Sequence, residues 1–190
     1  LQVLHQPDLH LLLDGLVRPA DGDEAVMAWK LALEEQRPVA LVLSRQNIRS
    51  LKAMGSTSRR EEAMQAAKGG YVVMDAAKPA AVLIASGSEV STLVEGAEQL
   101  AAEGIAVRVV SVPSEGLFRD QPRSYQESVL PAGVPRYGLT SGLPVTLRGL
   151  VGENGTIHGL DHFGYSAPFK VLDEKFGYNG ATVAAEVKKM

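Results

Sequence analysis

One unit of the sequence, at residues 80–112, constrains the fold more than any other. Its two ends, AAVLIA at 80–85 and IAVRVVSV at 105–112, are apolar runs typical of strands buried on both faces of a parallel sheet. Residues 89–103 between them carry apolar side chains at helical spacing, and Gly104 can end that helix in the left-handed conformation. A strand–helix–strand unit of this kind predicts an α/β fold.

The same alternation extends along the chain. We predict further strands at 9–17, 39–45, 71–74, 136–140 and 155–160, and helices at 23–35, around 114–129, at 143–150, at 168–176 and at 181–189. The fold class that follows is α/β: a three-layer fold with a mostly parallel sheet of about five strands. A partial α/β unit precedes it.

That partial unit rests on the helix at 23–35 and the strand at 39–45. Asp21 or Gly22 can cap the helix, and Val26, Trp29 and Leu33 fall on one apolar stripe. The run at 39–45, VALVLSR, is continuously apolar, so we expect a strand buried on both faces of a parallel sheet.

The chain divides into three parts by composition. Residues 49–69 are charged and small with no sustained apolar stripe, which predicts an interdomain linker with room for one short helix. Residues 1–48 then form the remnant of one domain and residues 70–190 a second domain. Because the sequence starts at Leu1 and enters an apolar segment at once, we expect it to begin inside a larger protein.

Composition excludes several classes of protein. The 19 Lys and Arg residues do not exceed the 22 Asp and Glu residues, so there is no basic excess for binding nucleic acid. No run of apolar residues is long enough to span a membrane. The absence of cysteine excludes disulfide frameworks, cysteine-ligated zinc and iron–sulfur clusters.

The turn at 86–89 (SGSE) joins a predicted strand to a helix N-terminus, where free backbone N–H groups favour anions. Glu89, however, places a negative charge at that position. We therefore favour a structural role, in which Ser88 caps the helix and Glu89 interacts with the helix dipole. The chain also lacks the glycine patterns of dinucleotide-binding folds and P-loops.

Two other groups of residues resemble catalytic or metal sites only superficially. Ser166 lacks the second glycine of a nucleophile elbow, because Pro168 stands there and favours a helix start instead. His158, Asp161 and His162 suggest metal ligands, but residues four apart on a strand are separated by about 13 Å. We expect these three to be exposed polar residues at a strand end.

Arg45 is the strongest candidate for a binding residue. It lies at the C-terminal end of the strand predicted at 39–45, and ligands of open α/β sheets bind at the carboxyl ends of strands. Its planar guanidinium group matches a phosphate or a carboxylate. Physical reasoning alone leaves this role evenly balanced against an ion pair with an acidic neighbour at the sheet edge.

Several motifs, in this order and spacing, resemble those of the transketolase family. They are RPAD at 18–21, SRQN at 44–47, SGSEV at 86–90, VVSVPS at 109–114, YQESVLP at 125–131 and FGYSAP at 163–168. The first two are similar to the end of the family's pyrimidine-binding domain, and the others to its C-terminal domain.

This resemblance implies a thiamine diphosphate- and Mg²⁺-dependent enzyme that transfers a two-carbon ketol unit from a ketose phosphate to an aldose phosphate, in the pentose phosphate pathway. It implies a cytoplasmic homodimer in which the arginine of SRQN, here Arg45, binds the sugar phosphate. The family's Gly-Asp-Gly…Asn signature for Mg²⁺ and the diphosphate is absent. Catalytic and cofactor-binding residues are therefore expected outside this sequence, and the chain alone is expected to be inactive.

The sequence departs from the family at two places. Residues 139–142 (LTSG) stand where many members have Val-Glu-Ala-Gly, and His162 stands where an arginine is common. Dimer or effector contacts that the family makes there are not carried over to this chain.

One alternative stays open. In this alternative, the chain is a binding or assembly module that stands alone or partners a separately encoded half, with the same fold and no catalysis. The turn at 86–89 and the apolar residues of 1–17 motivate it as a possible anion site and partner surface. The related 2-oxoacid dehydrogenases and deoxyxylulose phosphate synthase share the domain, but the SRQN and GSEV motifs fit transketolase better.

Overall fold

The computed structural model describes residues 15–36, 38–55 and 57–190. The strands are β1 (Leu16–Val17), β2 (Ala40–Leu41), β3 (Tyr71–Met74), β4 (Val82–Ala85), β5 (Arg108–Ser111), β6 (Arg136–Leu139) and β7 (Thr156–His158). The α-helices are α1 (Gly22–Glu34), α2 (Arg59–Ala63), α3 (Glu89–Ala102), α4 (Glu115–Arg119), α5 (Arg123–Val129), α6 (Arg148–Val151), α7 (Phe169–Phe176) and α8 (Gly180–Val187). Short 3-10 helices cover Met64–Lys68 and Pro144–Leu147.

Five strands form the main sheet, in the order β3-β5-β4-β6-β7. Only β3 runs antiparallel to its neighbour β5, and the other pairs in this sheet are parallel. The predicted α/β fold with a mostly parallel sheet of about five strands is therefore confirmed. Gly104 has a φ of 82° and ends α3 as predicted.

Helices cover both faces of this sheet. The side chains of β4 point alternately to the two faces and belong to two apolar clusters. On one face Leu83 packs with α1, α3 and α8. On the other face Ile84 packs with α4, α5 and α6. These layers account for the continuous apolar run at 80–85, since both faces of β4 are buried.

The partial α/β unit at the start is also present, but its burial differs from the prediction. Strands β1 and β2 pair in parallel as a two-stranded sheet, with α1 between them in sequence. The predicted strand at 9–17 is described only from residue 15 onwards, and its earlier residues lie outside the described part of the chain.

Two predictions about this unit are wrong. The stripe of Val26, Trp29 and Leu33 faces solvent, with Leu33 81% exposed, because α1 packs onto the main domain through Met27 and Leu31 instead. The run at 39–45 forms only a two-residue strand, and Val42 and Leu43 are exposed. In the described part of the chain, this sheet has only two strands, so it does not provide the layers that would bury both faces of β2.

A buried group of charges joins this first unit to the main sheet. Arg59 on α2 donates to Asp21 at 2.8 Å and to Glu24 at 3.2 Å. Tyr71 on β3 donates its hydroxyl to Glu24 at 2.6 Å. Asp21 also caps α1, as predicted, by accepting from the Glu24 backbone N–H.

The charged segment at 49–69 takes part in this packing through α2, the short helix for which the sequence left room. Burial raises the pKa of Glu24, and hydrogen bonds from Tyr71 and the Ala20 backbone oppose that shift without cancelling it. The boundaries at residues 48 and 69 stay predictions.

We expect Tyr71→Phe to lower the free energy of unfolding by about 1–3 kcal/mol, because the buried Glu24 carboxylate loses a hydrogen-bond donor. Phenylalanine keeps the ring that packs against the Arg59 guanidinium. Urea unfolding measures the change. Tyr165→Phe is the matched control, since that side chain is 60% exposed. Equal stability losses in both variants would contradict a special role for the buried hydroxyl.

Candidate functional site

The carboxyl ends of three parallel strands meet at one edge of the main sheet. The connection after β4 leads to β5 on one side of it, whereas β6 pairs on the other side. This is a topological switch point, where open α/β sheets form a crevice that takes ligands. In this chain the crevice receives a side chain from the first unit, Arg18.

Arg18 contacts the ends of β4 and β5 directly and is linked to the end of β6 through Glu89. Its backbone N–H donates to the Pro113 carbonyl after β5 at 2.8 Å, and its carbonyl accepts from the Gly87 N–H after β4 at 3.0 Å. Its guanidinium Nη2 lies 3.2 Å from Glu89 Oε1. The same Oε1 accepts from the backbone N–H of Ser141, after β6, at 2.9 Å. Gly87 permits this approach with a φ of 65°.

Glu89 is a nearly buried carboxylate, with its side chain 5% exposed. Burial raises its pKa, but the Arg18 charge and the hydrogen bonds from Ser141 outweigh that effect, so the net shift is downward. Ser88 occupies the N-cap position of α3, as predicted, but its side chain makes no capping hydrogen bond. Its hydroxyl donates to Glu89 Oε2 at 2.9 Å instead of accepting a backbone N–H of α3.

A cavity of about 750 Å³ opens beside this ion pair. Its walls come from the first unit, from α3 and from α7. Its polar and charged lining includes Arg18, Ser44, Gln46, Asn47, Arg49, Ser88, Glu89, Ser91, Thr92, Glu95, Ser141, Lys170, Asp173, Glu174 and Asn179. Such a mixed polar lining suits a hydrophilic ligand.

Arg45 stands in the loop at 44–47, between residues that line this cavity. It lies four positions beyond the end of β2 and is exposed. It forms no ion pair with any residue that the structure describes. The alternative of a sheet-edge ion pair for Arg45 therefore finds no support in the described residues.

The charge within the cavity is uneven. Burial raises the pKa of Asp173 on α7, and the nearby carboxylates of Glu89 and Glu95 raise it further. Arg18 is the cation that balances Glu89 directly. The acidic residues that line the cavity lie on α3 and α7, whereas the 44–47 loop contributes only uncharged polar side chains to its lining.

The predicted exposure of His158 is wrong. Its Nδ1 lies 3.1 Å from the Glu186 carboxylate, and its Nε2 lies 2.8 Å from the Phe176 carbonyl. It therefore ties β7 to α7 and α8. His162 and Asp161 are exposed, as expected. Ser166 is exposed ahead of α7.

The described residues contain no group of three or more acidic or histidine side chains that is placed to hold a metal ion. The Gly-Asp-Gly…Asn signature that is expected to hold Mg²⁺ and the diphosphate is also absent from the sequence. Within the part of the chain that the structure describes, no helix is both long and apolar enough to cross a membrane.

Comparison with known proteins identifies the family. The domain family described as "Transketolase-like TK C-terminal domain" matches residues 69–179, which is more than half of the chain. The chain belongs to the transketolase family. It is 44% identical over 190 residues to the protein named "Transketolase, plasmid" of Cupriavidus necator, covering 98% of this chain and 27% of that protein. It is 42% identical to transketolase 1 of Escherichia coli, covering 91% and 26%.

Solved transketolase structures share the fold. The transketolase of Leishmania mexicana matches with a TM-score of 0.78 and 35% identity, over 91% of this chain and 24% of that one. A Pichia stipitis transketolase variant, titled as a complex with xylulose 5-phosphate, matches with a TM-score of 0.81 and 33% identity, over 91% and 24%. The chain thus spans about a quarter of its relatives' length and corresponds to their C-terminal portion.

Sequence reasoning missed Arg18, although the position of this arginine at a strand end could have identified it. Arg18 ends a parallel strand, which is the same criterion that singled out Arg45, and Pro19 stops the strand directly after it. The sequence predicts only an interaction of Glu89 with the helix dipole. Its ion-pair partner Arg18 is 71 positions away in sequence, and only the tertiary fold brings the two together.

We expect Glu89→Gln to lower the free energy of unfolding by about 1–3 kcal/mol at neutral pH, through loss of the ion pair with Arg18. The pKa of Glu89 lies below its ordinary value of 4.5, so the ionised carboxylate stabilises the fold above that pH. This stabilisation is lost as the pH falls through the folded-state pKa. The deficit of the variant should therefore shrink in acid.

Chemical denaturation from pH 7 down to about pH 3 measures this deficit. Glu127→Gln is the control, because that residue forms an exposed ion pair on α5 that contributes little. A deficit for Glu89→Gln that stays constant across the whole range would contradict the assigned ionic interaction.

Proposed function

We propose that this chain is the C-terminal portion of a thiamine diphosphate-dependent transketolase and that Arg45 binds the phosphate of its sugar substrate. The reaction transfers a two-carbon ketol unit from a ketose phosphate to an aldose phosphate. The observation that supports the role of Arg45 is its exposed guanidinium, without an ion-pair partner among the described residues, beside a polar cavity.

The relatives support the substrate class. Pichia stipitis transketolase structures carry titles that name complexes with xylulose 5-phosphate, sedoheptulose 7-phosphate and fructose 6-phosphate. A sugar phosphate offers one dianionic group and several hydroxyls. An arginine supplies two parallel N–H donors to the phosphate, and the Ser, Gln and Asn side chains of the 44–47 loop suit the hydroxyls.

The cofactors belong to the rest of the proposed enzyme. No described residue group of this chain fits Mg²⁺, so we assign the thiamine diphosphate and Mg²⁺ ligands to the portion of the relatives that this chain does not cover. We further propose a homodimer in the cytoplasm as the working form. In this arrangement the chain contributes substrate recognition, and the cofactor supplies the carbon–carbon bond chemistry.

We expect Arg45→Ala, in the full-length protein, to lower kcat/KM for xylulose 5-phosphate about 10–100-fold, because the variant loses a charge-assisted hydrogen bond to the phosphate. Turnover of xylulose, which lacks the phosphate, should change less than about twofold, because that substrate does not use the guanidinium. Arg45→Lys should be intermediate, since it keeps the charge and loses the planar fork. Steady-state kinetics with both sugars measure these effects.

Arg123→Ala is the matched control, because Arg123 is an arginine with 91% exposure on α5, paired only with Glu127. It should leave both sugars unaffected. An equal loss with xylulose and xylulose 5-phosphate in Arg45→Ala would argue against phosphate recognition by this residue.

The chain on its own should show no turnover of xylulose 5-phosphate when thiamine diphosphate, Mg²⁺ and an aldose phosphate are supplied, because its sequence lacks the Gly-Asp-Gly…Asn signature for Mg²⁺ and the diphosphate. The full-length protein at the same concentration is the positive control. Turnover by the isolated chain would refute the proposed division of roles and would place a cofactor site within these 190 residues.

A further inference from the structure

The loop at 44–47, which carries Arg45, is attached at both ends to residues 17–21. Upstream, the Val42 backbone N–H donates to the Val17 carbonyl at 2.9 Å. Downstream, the Leu51 N–H donates to the Asp21 carboxylate at 3.2 Å. The position of the loop therefore depends on the position of residues 17–21.

Arg18 lies between these two attachment points and is anchored in the main domain. Its backbone bonds to Pro113 and Gly87, and its guanidinium pairs with Glu89 at 3.2 Å. The arginine side chain is 26% exposed toward the cavity that the 44–47 loop also lines. Arg18 is thus bonded to the C-terminal domain and directly follows Val17, which is bonded to the strand that leads into the loop.

We propose that Glu89 is a positioning residue for Arg45: through its ion pair with Arg18, the C-terminal domain holds the phosphate-binding loop in place. This inference rests on the proposed function, in which Arg45 binds the substrate phosphate. Glu89 does not touch the substrate in this scheme. It fixes the Arg18 guanidinium, and with it the end of β1 to which β2 is bonded.

The burial of Glu89 is what makes it effective in this role. A carboxylate that is 5% exposed cannot be rehydrated when its partner moves, so the pair strongly favours one position of Arg18. Among the described residues, two further ion pairs reach α3 from the segment at 49–69, and they join Arg49 and Lys52 to Glu98. These are exposed to solvent and contribute little to fixing the loop.

A double-mutant cycle in the full-length protein tests the inference. The four proteins are the wild type, Glu89→Gln, Arg45→Ala and the double variant, each assayed with xylulose 5-phosphate and with xylulose. We expect Glu89→Gln to lower kcat/KM for xylulose 5-phosphate about 3–20-fold, mainly through KM, because small displacements of a binding group are costly. Its effect on xylulose should stay below about twofold.

In the Arg45→Ala background, adding Glu89→Gln should change kcat/KM for xylulose 5-phosphate less than about twofold. Two residues that act through one another are non-additive in this way, whereas independent residues multiply their effects. A general structural role for Glu89 would lower kcat for both sugars and would give multiplied losses, and that result would overturn the inference.

Three further variants keep the test decisive. Arg18→Met removes the same ion pair from the other side and should reproduce the selective loss, and it carries the test if Glu89→Gln does not fold. Glu98→Gln breaks the neighbouring exposed pair and should leave both sugars unaffected. Glu89→Asp keeps the charge and should recover part of the preference for the phosphorylated sugar.

The two proposals fail in different ways. If Arg45→Ala impairs phosphate recognition while Glu89→Gln and Arg18→Met leave it intact, the positioning role is refuted and the proposed function stands. If Arg45→Ala has no selective effect on the phosphorylated sugar, the phosphate-binding role of Arg45 itself is refuted, and the positioning role is refuted with it.

Discussion

The buried interaction of Arg59 with Asp21 and Glu24 is the constraint on which the arrangement of this chain depends. Three ionisable side chains are buried there, and each needs hydrogen-bond or ion-pair partners. A buried charge without a partner destabilises the fold far more than the loss of a surface contact does. Arg59 lies on α2, the two carboxylates lie at the start of α1, and Tyr71 on β3 completes the group. Residues from three separate segments must therefore pack together before this group of interactions is complete.

The ion pair of Arg18 with Glu89 extends this constraint to the candidate site. In doubly wound sheets the switch-point crevice is where a ligand is bound. Here a side chain from the preceding unit occupies that crevice, with bonds to the ends of β4, β5 and β6 through Gly87, Pro113 and the Glu89–Ser141 contact. The ion pair thus connects the C-terminal domain physically to the cavity that Arg18 and the 44–47 loop line.

Local sequence patterns predicted most of the main domain, because both faces of β4 are buried and α3 shows unbroken helical periodicity. They failed where burial depends on partners distant in sequence. Trp29 and Met27 lie on the same amphipathic helix, and nothing local shows that Met27 is the one that faces the main domain. His158 likewise gained its burial from Glu186 and the Phe176 carbonyl, both on later helices.

The first unit cannot stabilise itself through its own sheet. Its two strands are two residues each, and Trp29, Val42 and Leu43 remain exposed in the described part of the chain. A sheet of this size contributes little hydrophobic stabilisation. Its placement therefore relies on contacts with the main domain: the packing of Met27 in the core, and two polar anchors, the Arg59 group and the Arg18–Glu89 pair. Because Arg45 follows directly from this weakly packed strand, the precision of its position has to come from those anchors in the main domain.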